Sequence, residues 1–153
     1  MNREQHLGAL KTLQQYLKSQ CSGDVVRAEI AHQELTLIVK KDSITNVLTF
    51  LRDDRDCQFK QLMDICGVDY QTAQNQNNTA QFAVVYHLLS LTRNMRIRVK
   101  TYLEAGQTLP TATQVFSAAN WYERETYDLY GITFENHPDL RRILTDYEFD
   151  GHP

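Results

Sequence analysis

The chain has 153 residues, which is enough for one domain with its own hydrophobic core. A hydrophobic content of 42% is typical of a globular protein, and a formal net charge of −3 argues against a nucleic-acid-binding domain, which usually carries a basic stripe. No apolar run approaches the roughly 20 residues that span a bilayer, and the first residues lack the apolar core of a secretory signal, so we expect any membrane role to be peripheral.

The three cysteines are Cys21, Cys57 and Cys66, odd in number and widely spaced. Iron–sulfur clusters and structural zinc sites need closely spaced thiolates. We therefore expect the chain to hold neither kind of site, and we interpret the three side chains as reduced thiols.

The first part of the chain predicts a helix followed by two strands. Asn2 can cap the helix, because Gln5 stands three residues later and a leucine stripe follows. Alternating apolar residues at 25–30 and 35–40 predict the two strands, with the turn-like His32-Gln33 between them.

A second helix and two further strands are predicted in the middle of the chain. Asp42 or Ser43 can cap the helix, whose apolar residues recur with helical spacing. Phe82 to Leu91 is apolar on both faces, and Met95 to Leu103 alternates cleanly, so both predict strands. The polar face of the second strand carries Arg96, Arg98 and Lys100, which indicates either the solvent side of a sheet or a surface for an acidic partner.

Two segments between these elements are less regular. The apolar residues of 59–66 have the spacing of a short helix, whereas residues 67–70 suit the start of an extended segment. Gln71 to Gln81 is almost entirely polar, and we interpret it as a mobile loop.

After Pro110, Thr111 or Thr113 can start another helix, which can restart at Asn120 with Glu123 in the capping-box position. Gly131 is typical of a left-handed helix stop. The element order predicts a two-layer α+β fold, with helices on one face of a mixed β-sheet. We expect a single domain over 1–134 and an extended docking tail over 135–153.

Residues 123–153 interleave charged and aromatic side chains and contain two His-Pro dipeptides. Carboxylates, guanidinium groups and large rings together are typical of a surface that faces a partner protein. On a helix, Trp121, Glu125 and Asp128 share a face, and Arg124 can reach Asp128. A solvated helix with weak surface ion pairs is the alternative. Loss of partner binding on Arg124→Ala, with little change in melting temperature, would distinguish the two.

This stretch resembles the 30 kDa subunit family of the proton-pumping NADH:quinone oxidoreductase, which is respiratory complex I. The 30 kDa subunit is also known as the C subunit of that complex. In that family a basic continuation containing Phe-Pro follows the second His-Pro, so we expect this chain to be a truncated or partial form. The matching positions are Asn120, Trp121, Tyr122, Glu123, Arg124, Glu125, Asp128, Tyr130, Gly131, His137, Pro138, Leu140, Arg141, Arg142, Ile143, Leu144, Asp146, Tyr147, Phe149, Gly151, His152 and Pro153.

The resemblance implies a non-catalytic accessory subunit on the cytoplasmic side of the bacterial inner membrane. It implies that FMN, the iron–sulfur clusters and the quinone are bound by other subunits, and that this chain binds no cofactor itself. It implies two neighbours, the large hydrogenase-like subunit of the complex and the small subunit with the terminal cluster. The residues expected at the partner interface are Trp121, Glu123, Arg124, Glu125, Asp128, Tyr130, Gly131, His137, Pro138, Arg141, Arg142, Asp146, Tyr147, Gly151, His152 and Pro153.

Three alternatives remain open at this point. The chain could be the equivalent subunit of a hydrogenase-type or plastoquinone-type membrane complex, or a free-standing binding module. It could also be a metal hydrolase that uses the aspartates and histidines of its end, although no His-Glu-x-x-His spacing, serine elbow or phosphate loop is present.

Overall fold

The computed structural model describes residues 2–70 and 81–138. Within these ranges, helices and strands follow one another in the order that the sequence predicts for most of the chain. The elements are α1 (Arg3–Gln20), β1 (Val25–Ala31), β2 (Glu34–Val39), a 3₁₀ turn (Lys41–Ser43) that continues into α2 (Ile44–Asp53), β3 (Gln61–Asp69), β4 (Phe82–Ser90), β5 (Met95–Leu103), β6 (Leu109–Pro110), α3 (Ala119–Tyr130) and β7 (Phe134–Glu135).

Five strands form one mixed sheet in the order β1-β2-β5-β4-β3. The central pair β2–β5 is parallel, and the other neighbouring pairs are antiparallel. The two short strands β6 and β7 pair in parallel beside this sheet. The predicted mixed sheet is confirmed.

One face of the sheet carries the core. Because side chains alternate along a strand, the residues of β5 that point to one face are buried while Arg96, on the other face, is exposed. The helices α1, α2 and α3 of the described residues contribute to the same buried cluster as this face of the sheet, which confirms the two-layer α+β prediction. The helix residues that are buried there include Leu10, Leu13, Leu17, Ile44, Val47, Leu48, Leu51 and Ala119.

The capping predicted from the sequence is found in full at the start of α1 but not at the start of α2. Asn2 and Gln5 form the predicted capping box at the start of α1. Ser43 occupies the predicted N-cap position of α2, but the chain enters this helix through a 3₁₀ turn and the Ser43 side chain makes no capping bond. Its hydroxyl group donates instead to Asp24, 2.8 Å away, which ties α2 to the start of β1.

The predicted short helix over 59–66 is wrong, since β3 occupies Gln61–Asp69. The register of β3 against β4 shifts between Leu62 and Asp64. This irregularity separates the buried Leu62 and Ile65 by three positions, which imitates helical spacing in the sequence. The loop predicted at 71–81 lies, except for Gln81, outside the described residues.

The helix predicted to begin at Thr111 or Thr113 is also absent from the described structure, where turns occupy this segment. Pro110 pairs with Glu135 in the short parallel ladder, and the backbone N–H of Thr111 donates to the carbonyl of Glu135. Extended pairing up to this point is followed by turns at 113–115 and 117–118 before α3 begins. Gly131 ends α3 in the predicted left-handed conformation, with φ of 74°.

The second face of the sheet carries the three cations of β5, and two of them are engaged within the chain. Arg98 forms an ion pair with Glu34, and the Lys100 ammonium lies 5.8 and 5.1 Å from the ring centres of Tyr70 and Tyr102. The acidic partner considered for this strand stays a prediction.

Candidate docking site

Helix α3 lies against the edge strand β3, and its inner side fixes the helix closely to that strand. Thr126 is buried and its hydroxyl donates to the carbonyl oxygens of Tyr122, at 2.9 Å, and Ile65, at 3.4 Å. The ring of Tyr130 lies so close to Gly67 that a Cβ atom there would be 2.6 Å from Cδ2 of Tyr130. The strand therefore needs a residue without a side chain at this point.

Glu123 lies on the inner side of α3 and is fully buried. Its Oε1 accepts a hydrogen bond from the hydroxyl of Thr111, and its Oε2 accepts one from the backbone N–H of Ala112, both at 2.6 Å. A buried carboxylate that accepts two such bonds holds the donor segment firmly. Glu123 thus fastens the turn after β6 to α3.

His137 brings the segment after β7 to the same place. Its side chain is buried, and in the tautomer protonated at Nε2 it donates to the carbonyl oxygen of Asn120, 3.1 Å away. The same nitrogen lies 3.8 Å from Oε1 of Glu123. Asn120 is not the N-cap that the sequence predicts, since Ala118 occupies that position and Asn120 lies in the first turn.

The electrostatics of this cluster follow from its burial. Burial raises the pKa of the Glu123 carboxyl to about 7, although the hydrogen bonds from Thr111 and Ala112 act in the opposite direction. The pKa of Tyr86, whose buried hydroxyl has no hydrogen-bond partner among the described residues, is raised by burial and then by the nearby Glu123.

The outer side of α3 exposes two large apolar residues. Trp121 is 51% exposed and Leu129 is 38% exposed. Arg124 does not pair with Asp128 within the described part of the chain. Its guanidinium carbon lies 5.7 Å from the centre of the Trp121 ring, and its buried Nε has no hydrogen-bond partner among the described residues. We call Trp121, Arg124, Glu125 and Leu129 the docking ridge.

The three cysteines are free, as the sequence predicts. Burial is the main cause that raises the pKa of Cys57 to about 12 and of Cys66 to about 11, so both are neutral thiols near pH 7. In residues 2–70 and 81–138 no group of three His, Cys, Asp or Glu side chains is placed to hold a metal ion. No helix in the same ranges is long and apolar enough to cross a membrane.

Comparison with known protein families identifies the family of this chain. The family described as "Respiratory-chain NADH dehydrogenase, 30 Kd subunit" matches residues 37–153. The chain belongs to this family. The match begins in the second half of β2 and includes α2, β3 to β5, α3 and the end of the chain.

Relatives of the 30 kDa subunit family resemble the chain over nearly its whole length. Proteins named as the C subunit of NADH-quinone oxidoreductase are 53% identical in Methylobacterium sp. (strain 4-46), over 98% of the chain, and 53% identical in Methylorubrum populi, over 95%. The relative in Rhodospirillum rubrum is 49% identical over 97%. The chain spans 67%, 64% and 68% of the length of these three relatives.

A solved structure shares the fold of this 30 kDa family chain. It is a chain of the membrane-bound sulfane sulfur reductase, an archaeal respiratory membrane complex. The TM-score is 0.72 with 21% sequence identity, covering 89% of this chain and 77% of that one. At this identity the similarity shows the fold alone.

The structure distributes the predicted interface residues of this 30 kDa family chain over different environments. Those on the outer side of α3 are Trp121, Arg124 and Glu125, while Glu123 and Asp128 are buried. Tyr130 and Gly131 end the helix, the His137 side chain is buried and Pro138 is exposed. The partner role of each residue stays a prediction, as does the domain division at 134/135. The remaining predicted residues, Arg141, Arg142, Asp146, Tyr147, Gly151, His152 and Pro153, lie outside the described residues.

Sequence reasoning missed several residues of this site. Leu129 follows Trp121 at i+8 and Glu125 at i+4, so a longer helical projection would have found it. The roles of Thr111 and Gly67 have no local signal, because they depend on Glu123 and Tyr130, which are distant in the sequence. The one local signal at Thr111, that of a helix cap, is misleading.

Proposed function

We propose that this chain is a non-catalytic accessory subunit in the peripheral arm of proton-translocating NADH:quinone oxidoreductase. Its membership of the 30 kDa subunit family over residues 37–153 is the observation that carries the proposal. In this role the chain supports electron transfer from NADH, through FMN and iron–sulfur centres bound by other subunits, to quinone. It attaches to the membrane only indirectly, through the complex, on the cytoplasmic side.

The names of the relatives support this proposal. Proteins about half identical to the chain over almost all of its length are named as the C subunit of NADH-quinone oxidoreductase. We infer that the chain takes the corresponding place, beside the large hydrogenase-like subunit and the small subunit that carries the terminal cluster.

The physical contribution in this proposal is rigid positioning. Helix α3 is fixed to β3 through Thr126 and to the turn after β6 through Glu123, so its outer side is presented in a defined orientation. Redox centres and quinone pockets lose activity when their supporting neighbours shift by small distances. A domain held this firmly can keep adjoining subunits in register without performing chemistry.

Affinity purification from the native membranes tests the proposal. The tagged protein, expressed from its own gene, should bring down the other peripheral-arm subunits, identified by mass spectrometry. Recovery of the tagged protein without any respiratory subunit would contradict the proposal.

The same experiment tests the docking ridge. Trp121→Ala combined with Leu129→Ser removes the two exposed apolar side chains of α3, and we expect recovery of partner subunits to fall about tenfold or more, because anchors of this kind dominate interfaces. Leu91→Ser is the matched control, since Leu91 is 68% exposed and lies after β4, outside α3. Equal recovery with both variants would exclude the ridge as the docking surface.

A further inference from the structure

Arg124 is the residue of the docking ridge whose environment within the chain is incomplete. It is half-buried, and its guanidinium group lies over the Trp121 ring. Its Nε atom is inaccessible to solvent and has no hydrogen-bond partner among the described residues. A buried guanidinium N–H without an acceptor is costly, so this arrangement is unfavourable for a chain that remains alone.

The other arginines of the described residues that lie near carboxylates form ion pairs within the chain. Arg27 pairs with Glu29, Arg52 with Asp53, Arg93 with Asp56, and Arg98 with Glu34. The buried Nε of Arg98 also lacks a hydrogen-bond partner among the described residues, but Arg98, unlike Arg124, has a carboxylate partner. The ion pairs of the described residues do not include Arg124. Its guanidinium group is held in place by an aromatic ring rather than by a carboxylate of its own domain.

We propose that Arg124 receives an aspartate or glutamate of a neighbouring protein subunit, set beside an apolar pocket that takes Trp121 and Leu129. This inference rests on the proposed function and specifies the chemistry of its partner. A ring-stacked guanidinium is preorganised, so little side-chain entropy is lost when it pairs with a carboxylate. Tryptophan and arginine are also among the residues most enriched at the centres of protein interfaces.

The charge of the ridge favours a protein over a phosphate-bearing surface. Arg124 is the ridge's one cation, and Glu125 follows it directly in the sequence. Nucleic acids and anionic lipid surfaces are bound by several cations together, because each contributes only a modest energy. A single arginine beside a carboxylate, flanked by exposed apolar side chains, instead matches one acidic residue in an apolar setting.

The experiment first identifies the partner subunit and then measures how much the pair between Arg124 and the partner's carboxylate contributes to binding. A photo-crosslinking amino acid at Leu129, in the protein expressed within its complex, should attach to a segment of another subunit that contains an aspartate or glutamate. Crosslinking only to lipid, or to a segment without a carboxylate, would overturn the proposal.

Dissociation constants for the full chain and the crosslinked subunit then test Arg124. We expect Arg124→Gln to raise the dissociation constant at least about 30-fold, because it leaves the partner's carboxylate buried and unpaired. Arg124→Lys should raise it about tenfold, because lysine keeps the charge but lacks the planar fork. Arg55→Gln is the matched control, since Arg55 is an exposed arginine outside α3, and it should change the constant by less than about twofold.

A double-mutant cycle completes the test. Replacing the mapped carboxylate by its amide should weaken binding as much as Arg124→Gln, and the two changes together should add little to either alone. Additive losses, or unchanged binding by Arg124→Gln, would overturn the inference while leaving the proposed function intact. Wild-type protein that crosslinks to no respiratory subunit would overturn both.

Discussion

At the scale of single residues, Glu123 shows how a position that looks like surface chemistry can serve the interior. In the sequence it stands among charges and aromatic rings, which is typical of an interface. In the structure it is fully buried and bonded to Thr111 and Ala112. The sequence pattern could not reveal this, because both partners lie more than ten positions away and carry no recognisable motif.

The raised pKa of Glu123 predicts a pH-dependent stability. Its folded-state pKa of about 7 exceeds the ordinary value of 4.5, so the stability it contributes is fully present below about pH 4.5 and is lost as pH rises through about 7. Relative to Glu123→Gln, which keeps an amide oxygen as acceptor, the wild-type free energy of unfolding should fall by about 2–3 kcal/mol between pH 5 and pH 8.

Urea unfolding of both proteins at the two pH values measures this difference. His137 and Tyr86 also lie near the carboxyl group, and both are present in the two proteins, so the comparison isolates the change made at position 123. A difference between wild type and Glu123→Gln that is the same at pH 5 and pH 8 would show that Glu123 does not titrate in this range.

At the scale of elements, the sequence predicts best where a periodic pattern is uninterrupted. The alternation of β5 and the capping box of α1 are confirmed at the predicted positions. Patterns fail where a strand is irregular. In β3 the register shift gives Leu62 and Ile65 helical spacing, and in β1 a shift between Val25 and Arg27 accompanies a Val26 side chain that is 57% exposed.

The same limit applies to the segment before α3. Thr111 and Thr113 are good helix-capping residues, and the local sequence therefore favours a helix there. The observed turn is stabilised by bonds to Glu123 and Glu135, which are brought close only by the folded chain. Tertiary contacts of this kind are invisible to local propensity.

The contact between α3 and β3 predicts that Gly67 is sensitive to substitution. Gly67→Ala would place a Cβ atom 2.6 Å from Cδ2 and 2.8 Å from Cε2 of Tyr130, so the ring must move. We expect this change to lower the free energy of unfolding by roughly 1–3 kcal/mol.

Gly8→Ala is the control, because a Cβ atom at this position in α1 meets nothing within 4 Å. It should raise the free energy of unfolding by roughly 0.5–1 kcal/mol, since alanine is the better helix former. Chemical denaturation of the two variants measures both effects, and a neutral Gly67→Ala would show that α3 is not closely fixed to β3.

At the scale of the whole molecule, the described residues form a sheet whose inner face is covered by α1, α2 and α3, and α3 exposes a tryptophan and a leucine. Membership of the 30 kDa subunit family could be inferred from the residue types after Asn120, and the family match over 37–153 confirms it. The docking partners could not be derived in the same way, because a surface of one chain specifies chemistry rather than the identity of what covers it.

The most direct test of this account compares membranes from a strain that lacks the gene with membranes from the same strain carrying it on a plasmid. NADH:quinone activity is measured together with the size of the complex on native gels. We predict that deletion abolishes both the activity and the assembled complex, and that the gene restores them. An assembled and fully active oxidoreductase in the deletion strain would contradict the claim that this chain acts by holding its neighbouring subunits in place.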